Sequence, residues 1–300
     1  MSTEITDPEV LAFIARTENR YPPDAIDKTI ADQRRVYNAL CDDFRQPRPE
    51  GTTVTHEVAG TVPQRRYVPR GAGPVTVVYY HGGGFVVGGL ESHDDTCAEI
   101  AAGASCTVVS VDYRLCPEHV HPAAYEDALA AARAALEAGP VILVGDSAGG
   151  NLAAAVAQTL RGADIRGQVL IYPGLGGDTI GLESYVECAE APLLTTRDVH
   201  FYREVRAGGP PPRDDPTFFP LVAQDFTGLA PCFVSVADAD PLRDDGVEYV
   251  RLLIGAGVTA YCAVEPQLPH GFLRARHMSH RAADAFGRII DAVKEFAASS

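Results

Sequence analysis

The sequence predicts an α/β fold built on an eight-stranded, mostly parallel sheet, and three observations lead there. Between residues 75 and 264 lie six short apolar runs, with the length and β-branched content of strands buried on both faces. Helical stretches separate most of them, an alternation that implies parallel strands joined by helical crossovers. The chain has 300 residues, 46% of them hydrophobic and 22% charged, enough for one large α/β domain with a well-buried core.

The first 45 residues are helical in pattern. Asp7-Pro8 reads as a cap and first helical position, since proline has a helix-compatible φ and no N–H to waste. After Pro22-Pro23, Ile26, Ile30, Tyr37, Leu40 and Phe44 recur at helical spacing, until Q-P-R-P-E-G at 46–51 ends the section. The period then changes. Residues 52–58 and 63–69 read as a pair of strands with polar faces. The six apolar runs follow at 75–80, 106–112, 141–144, 168–172, 232–236 and 259–264, with helices expected at about 93–103, 122–138, 148–161, 242–256 and 277–297. Two stretches fall outside the alternation: the N-terminal helical section and roughly 178–215. Segments of that kind lie over the carboxyl ends of strands, where ligands bind, so the expected organisation is a single domain over 1–300 with cap segments at about 1–45 and 178–215.

Composition narrows the function. Lys+Arg 25 against Asp+Glu 40 gives a net charge of −15, which opposes nonspecific binding to nucleic acid or anionic membranes. Lys28 and Lys294 are the only lysines, an acidic, lysine-poor balance that fits either a well-solvated surface or adaptation to high salt. No stretch approaches the roughly 20 apolar residues of a membrane span, and the N-terminus lacks a secretory pattern, so a cytoplasmic protein is expected. The seven cysteines are odd in number, form no C-x-x-C, and read as buried, reduced thiols. His119 with His121 and His277 with His280 lack a carboxylate or cysteine at a ligand spacing, so neither a metal nor another cofactor is expected.

Two motifs carry chemistry. G-D-S-A-G at 145–149 follows an apolar strand and opens a helix, the context of a nucleophile elbow. The small neighbours of Ser147 imply a strained turn and close strand–helix packing, with no space for a Cβ at Gly145 or Gly149. H-G-G-G-F at 81–85 directly follows a strand, and its consecutive glycines let backbone N–H groups point into a cavity and hold an oxyanion. A phosphate cradle is the competing reading. G-x-G-x-x-G fails at Val87, and the Walker pattern fails at Leu90.

With D-Y-R-L-C-P-E-H (112–119), P-A-A-Y-E-D (122–127), D-P-L-R-D (240–244) and H-G-F (270–272), these motifs resemble the hormone-sensitive-lipase-like branch of the α/β-hydrolases, which includes many bacterial carboxylesterases. The resemblance runs from about residue 65 to the C-terminus. It implies the α/β-hydrolase fold, Ser147 as nucleophile, Asp240 as triad acid, His270 as base, and an oxyanion hole from the N–H groups of Gly83, Gly84 and Ala148. Each of the three triad residues stands just past an expected strand, in the order Ser, Asp, His. Asp238 competes for the acid role; Asp244 and Asp245 read as residues favouring a helix dipole, His81 as support for the glycine loop, and Asp112, Arg114 and Glu118 as buried scaffolding. Cys116 and Val120-His121 stand where relatives usually carry alanine and a Pro-Phe-like pair.

The expected function is a serine carboxylesterase acting on short-chain esters as a monomer or homodimer. Phe13, Tyr21, Tyr185, Phe201 and Tyr202 are candidates to line its pocket. Two other classes remain open: a lactonase, amidase or natural-product deacetylase with the same triad, and a non-hydrolysing small-molecule receptor of the kind this family supplies to plants.

Overall fold

The computed structural model describes residues 4–299. The chain opens with α1 (Pro8–Arg20), whose first turn is closed by the Asp7 carboxylate accepting from the N–H groups of Glu9 (2.9 Å) and Val10 (3.3 Å). A short turn at Ala25–Asp27 leads to α2 (Ile30–Phe44), capped by the Thr29 hydroxyl. The sheet follows: β1 (Thr52–Ala59), β2 (Val62–Pro69), β3 (Thr76–Tyr80), α3 (Asp94–Ala104), β4 (Thr107–Val111), α4 (Ala123–Ala138), β5 (Val141–Asp146), α5 (Ala148–Thr159) and β6 (Ile165–Ile171). Two helices, α6 (Ser184–Glu187) and α7 (Thr196–Ala207), separate β6 from β7 (Cys232–Ala239). The chain ends in α8 (Arg243–Gly255), β8 (Ala260–Pro269) and α9 (His280–Ala298).

The eight strands lie in the order β1-β2-β4-β3-β5-β6-β7-β8. β1 and β2 form an antiparallel hairpin, β2 runs antiparallel to β4, and every pairing from β4 to β8 is parallel. Alternate residues of one strand feed opposite layers, as a period of two requires. Val78 and Tyr80 pack in the layer containing Ala128 of α4, Leu152 of α5 and Tyr249 of α8. Val77 and Tyr79 face the layer containing Cys97 of α3 and Ile289 of α9, which also takes in Val10, Phe13 and Phe44 of the N-terminal helices.

One strand departs from the expectation of burial on both faces. β8 is the sheet's edge, and Tyr261 (55%) and Val264 (45%) are exposed there. An edge strand has a neighbour on one side only, which its apolar run does not disclose. No helix among the described residues is long and apolar enough to cross a membrane. All seven cysteines are free thiols, six buried and Cys262 half-buried.

Candidate active site

Parallel strands deliver their carboxyl ends to one edge of the sheet, and the site forms there. β5 runs directly into α5 through Ser147, whose φ of 54° and ψ of −114° are strained for a residue with a side chain. The glycines around it explain why the turn can close. A Cβ on Gly149 would lie 1.8 Å from the Tyr80 carbonyl oxygen, and one on Gly145 would lie 2.3 Å from the Gly149 carbonyl carbon. The Ser147 N–H donates to the Ile171 carbonyl at 2.8 Å, which pins the turn to β6.

Asp240 follows β7 and His270 follows β8. The His270 Nε2 lies 3.0 Å from the Ser147 Oγ, and its Nδ1 lies 2.7 Å from the Asp240 Oδ2. The network assigns the tautomer: Nδ1–H donates to the carboxylate, and Nε2 accepts from the serine hydroxyl. Asp240 has no solvent exposure, and its Oδ1 accepts from the Leu242 N–H at 2.8 Å. The competing carboxylate, Asp238, accepts instead from the Gln267 N–H. Residues 93 and then 30 positions apart are thus brought into one hydrogen-bonded relay.

The glycine loop faces this relay. Gly83, Gly84 and Ala148 line the same cavity as Ser147 and His270. Among the described residues the N–H groups of Gly83 and Gly84 have no protein acceptor, and Ala148 is the first residue of α5, where helical N–H groups lack partners. Gly83 (φ 128°) and Gly84 (φ 59°) need their missing side chains. A Cβ on the first would lie 2.2 Å from the Val87 carbonyl oxygen, and one on the second 2.5 Å from the Tyr202 ring.

Asp146, which the sequence reading did not single out, ties the loop to the elbow. Its Oδ1 accepts from the Gly82 N–H at 2.8 Å and from the Tyr79 hydroxyl at 2.8 Å, while the His93 ring packs against the carboxylate. Burial raises the carboxyl's pKa, but the His93 ring and the hydrogen bonds outweigh that and hold it below the usual range. The approach is so close that a Cβ on Gly82 would lie 2.2 Å from the Asp146 Oδ2. His81 is wholly buried, stacks on Tyr113 at 4.2 Å, and donates from Nδ1 to the Gly82 carbonyl at 2.8 Å. Burial, with His93 nearby, pushes its pKa down to about 4.

The cavity walls come from both helical segments. α2 supplies Tyr37 and Leu40, Tyr21 precedes it, and α7 supplies Val199 and Tyr202. The Tyr21 and Tyr202 hydroxyls meet at 3.0 Å, joining the two segments. Phe13, Tyr185 and Phe201, expected as possible lining, do not line the cavity; Phe13 packs against Phe44 in the core. Phe85, Phe218 and Phe219 do line it, and their positions outside the helical segments gave no signal.

Three further expectations are corrected. Arg114 and Glu118 are not buried scaffolding, with side chains 42% and 53% exposed; they pair with Asp127 and Arg34. Asp112 is half-buried. Asp245 does more than favour a dipole: it is fully buried and accepts from the N–H groups of Leu175, Gly176 and Gly177, fixing the chain after β6.

Comparison with known proteins agrees with this architecture. Residues 77–274 match a family model described as the alpha/beta hydrolase fold. A carboxylesterase, NlhH, of Mycobacterium tuberculosis is 40% identical over 89% of this chain and 90% of its own. An ethyl acetate hydrolase of Pseudomonas putida is 34% identical over 78% and 79%. Among solved structures, an ester hydrolase from the Lake Arreo metagenome, complexed with a bipyridine phosphonate derivative, superposes with a TM-score of 0.87 at 31% identity, covering 96% of this chain and 98% of that one.

Proposed function

The chain belongs to the α/β-hydrolases, in the hormone-sensitive-lipase-like branch, and from that premise we propose that it is a serine carboxylesterase acting on short-chain esters. The observation that supports this most is the relay from Ser147 through His270 to Asp240, at 3.0 and 2.7 Å, beside glycine N–H groups without acceptors among the described residues.

Chemically, a serine hydroxyl needs a base to become a nucleophile. As the Ser147 Oγ attacks the ester carbonyl, its proton passes to the His270 Nε2. The imidazolium that forms is stabilised by Asp240, which keeps the ring oriented through Nδ1. Negative charge develops on the carbonyl oxygen, and the N–H groups of Gly83, Gly84 and Ala148 are the donors for it. Collapse of the tetrahedral intermediate breaks the bond to the alcohol, which leaves with the proton from Nε2. Water then gives a proton to the same nitrogen and attacks the acyl-enzyme, and the proton returns to the Ser147 Oγ as the acid departs. The aromatic walls at Tyr21, Tyr202 and Phe219 leave a small pocket, which favours short acyl chains. The name of the Pseudomonas putida relative, an ethyl acetate hydrolase, points the same way.

The test is Ser147→Ala. Turnover of a short p-nitrophenyl ester should drop by ~10⁶-fold while the fold is kept. A variant near the parental rate would overturn the mechanism. A parallel panel of lactones and amides tests the ester assignment itself; faster turnover of either class than of any ester would replace it.

A further inference from the structure

Arg206 lies in α7 and lines the catalytic cavity, yet no carboxylate among the described residues reaches it. It is only 3% exposed. The other strongly buried arginines are neutralised: Arg65 pairs with Asp94, and Arg276 with Asp95 and Glu99. Arg203, one turn away in the same cavity wall, pairs with Asp178. Arg274 also lines the cavity, but it is only half-buried, donates to the Tyr37 hydroxyl at 2.5 Å, and has Asp146 acting on it at longer range. Arg206 differs in being wholly enclosed with no carboxylate in contact, Asp215 acting on it only at longer range, a costly arrangement unless something completes it.

Its surroundings show which part is incomplete. Nη1 donates to the Asn151 Oδ1 at 3.2 Å and to the Phe218 carbonyl at 3.1 Å, which uses both of its hydrogens. Nη2 donates once, to the Thr217 carbonyl at 3.2 Å. The buried Nε–H has no partner among the described residues. Both faces are covered, with the Phe85 ring 3.8 Å and the Phe218 ring 4.2 Å from the guanidinium carbon. Nε and Nη2 share the edge that grips a carboxylate with two parallel bonds, and that edge has donors to spare. Burial pushes the group's pKa down to about 9, so it still carries its charge at neutral pH. Asn151 links the guanidinium to the start of α5, where the nucleophile stands. Asn151, which holds Nη1, also donates its own N–H to the Ser147 carbonyl, and Arg206 and Ser147 line one cavity, so a substrate seated at the serine has the guanidinium in the same pocket.

We propose that Arg206 is a specificity-determining subsite for a carboxylate carried on a short arm of the ester, so that half-esters of dicarboxylic acids or esters of hydroxy acids form the substrate class. This rests on the esterase reading and deepens it. The chain's net charge of −15 does not oppose such a subsite, because exposed charges are screened within ~10 Å at 0.1 M salt while a buried guanidinium acts at contact.

The test compares isosteric pairs by titrating released acid at constant pH. Monomethyl glutarate is set against methyl 5-methylhexanoate, and 3-acetoxypropanoate against 3-methylbutyl acetate; each pair replaces a carboxylate with an isopropyl group. For the parent enzyme, kcat/KM should favour the anionic member of at least one pair by tenfold or more. Arg206→Met should cut that anionic-to-neutral ratio at least tenfold, and Arg206→Lys, which restores charge without the fork, should recover only part of it. Should Arg206→Met fail to fold, Arg206→Lys alone decides: a lowered ratio supports the subsite, and an unchanged ratio removes it. A parent enzyme preferring the neutral member of both pairs would overturn the proposal while leaving ester hydrolysis intact. Hydrolysis of none of the four esters, in an enzyme equally inert towards p-nitrophenyl acetate, would overturn the esterase reading itself.

Discussion

Removing the Asp146 side chain beyond Cβ should damage stability and catalysis by separable amounts. In Asp146→Ala the Gly82 N–H and the Tyr79 hydroxyl, each bonded to Oδ1 at 2.8 Å, lose their acceptor inside the protein. A buried donor left without a partner costs about 1–3 kcal/mol, so the pair costs about 2–6 kcal/mol of a total stability of about 5–15 kcal/mol. The catalytic effect arises one residue further on. Gly82 is bonded directly to Gly83, so freeing it loosens the N–H groups expected to meet the oxyanion. Loss of one such donor lowers kcat by ~10²–10³-fold. Asp146→Asn keeps an oxygen where both donors can reach it and should retain kcat within about tenfold of the parent. Urea denaturation followed at pH 7.5 gives the first number, and kcat and KM on a short p-nitrophenyl ester give the second. A folded Asp146→Ala enzyme with parental kcat would refute the reasoning. So would an Asn variant as impaired as the Ala variant, because the charge and not the acceptor would then matter.

Three other expectations follow from the same geometry. Asp240→Asn should keep the structure and lower kcat by ~10⁴-fold, since an amide can hold His270 in the wrong tautomer; steady-state kinetics with a circular-dichroism control decides it. Tyr202→Ala removes a ring packed against Gly84 and bonded to Tyr21, so kcat/KM for an octanoyl over a butyryl ester should rise about tenfold, roughly the worth of two buried methylenes; an unchanged chain-length profile would place the wall elsewhere. His81 bears on acid stability. Its folded pKa of about 4 lies below the unfolded value near 6.5, so the unfolded chain takes up a proton first and stability is lost as pH falls through that window. The loss reaches about 3 kcal/mol by pH 4, and His81→Phe should abolish that share of it in urea titrations at pH 7 and pH 4.5.

The strand sequence and the elbow were legible because local physics dictates them. Apolar runs mark parallel strands, and a turn that must place Gly149 against the Tyr80 carbonyl admits nothing but glycine. Triad candidates could be named because each stands immediately past a strand, and strand ends in one sheet are neighbours. What escaped notice depends on partners distant in sequence. Asp245 resembles any acidic residue opening a helix until the N–H groups of Leu175 to Gly177, some 70 positions earlier, are seen converging on it. Edge position hides in the same way, for the apolar run of β8 does not state how many neighbours it has. Arg206 gave no signal either. Its interest lies in the carboxylate it lacks, and a sequence cannot display an absence in space.

The two ends of the described chain are stitched together close in sequence to His270. The N–H groups of Thr6 and Asp7 donate to the Gln267 Oε1 at 2.8 and 2.9 Å, Arg281 pairs with Asp7, and Glu9 with His280. During synthesis the first helix therefore leaves the ribosome long before its docking surface exists. Val10 and Phe13, sealed from water in the folded protein, lack that cover until α9 has been made. The contact between Thr6, Asp7 and Gln267 forms only once β8 has been made, and loosening it should be felt three residues away from His270.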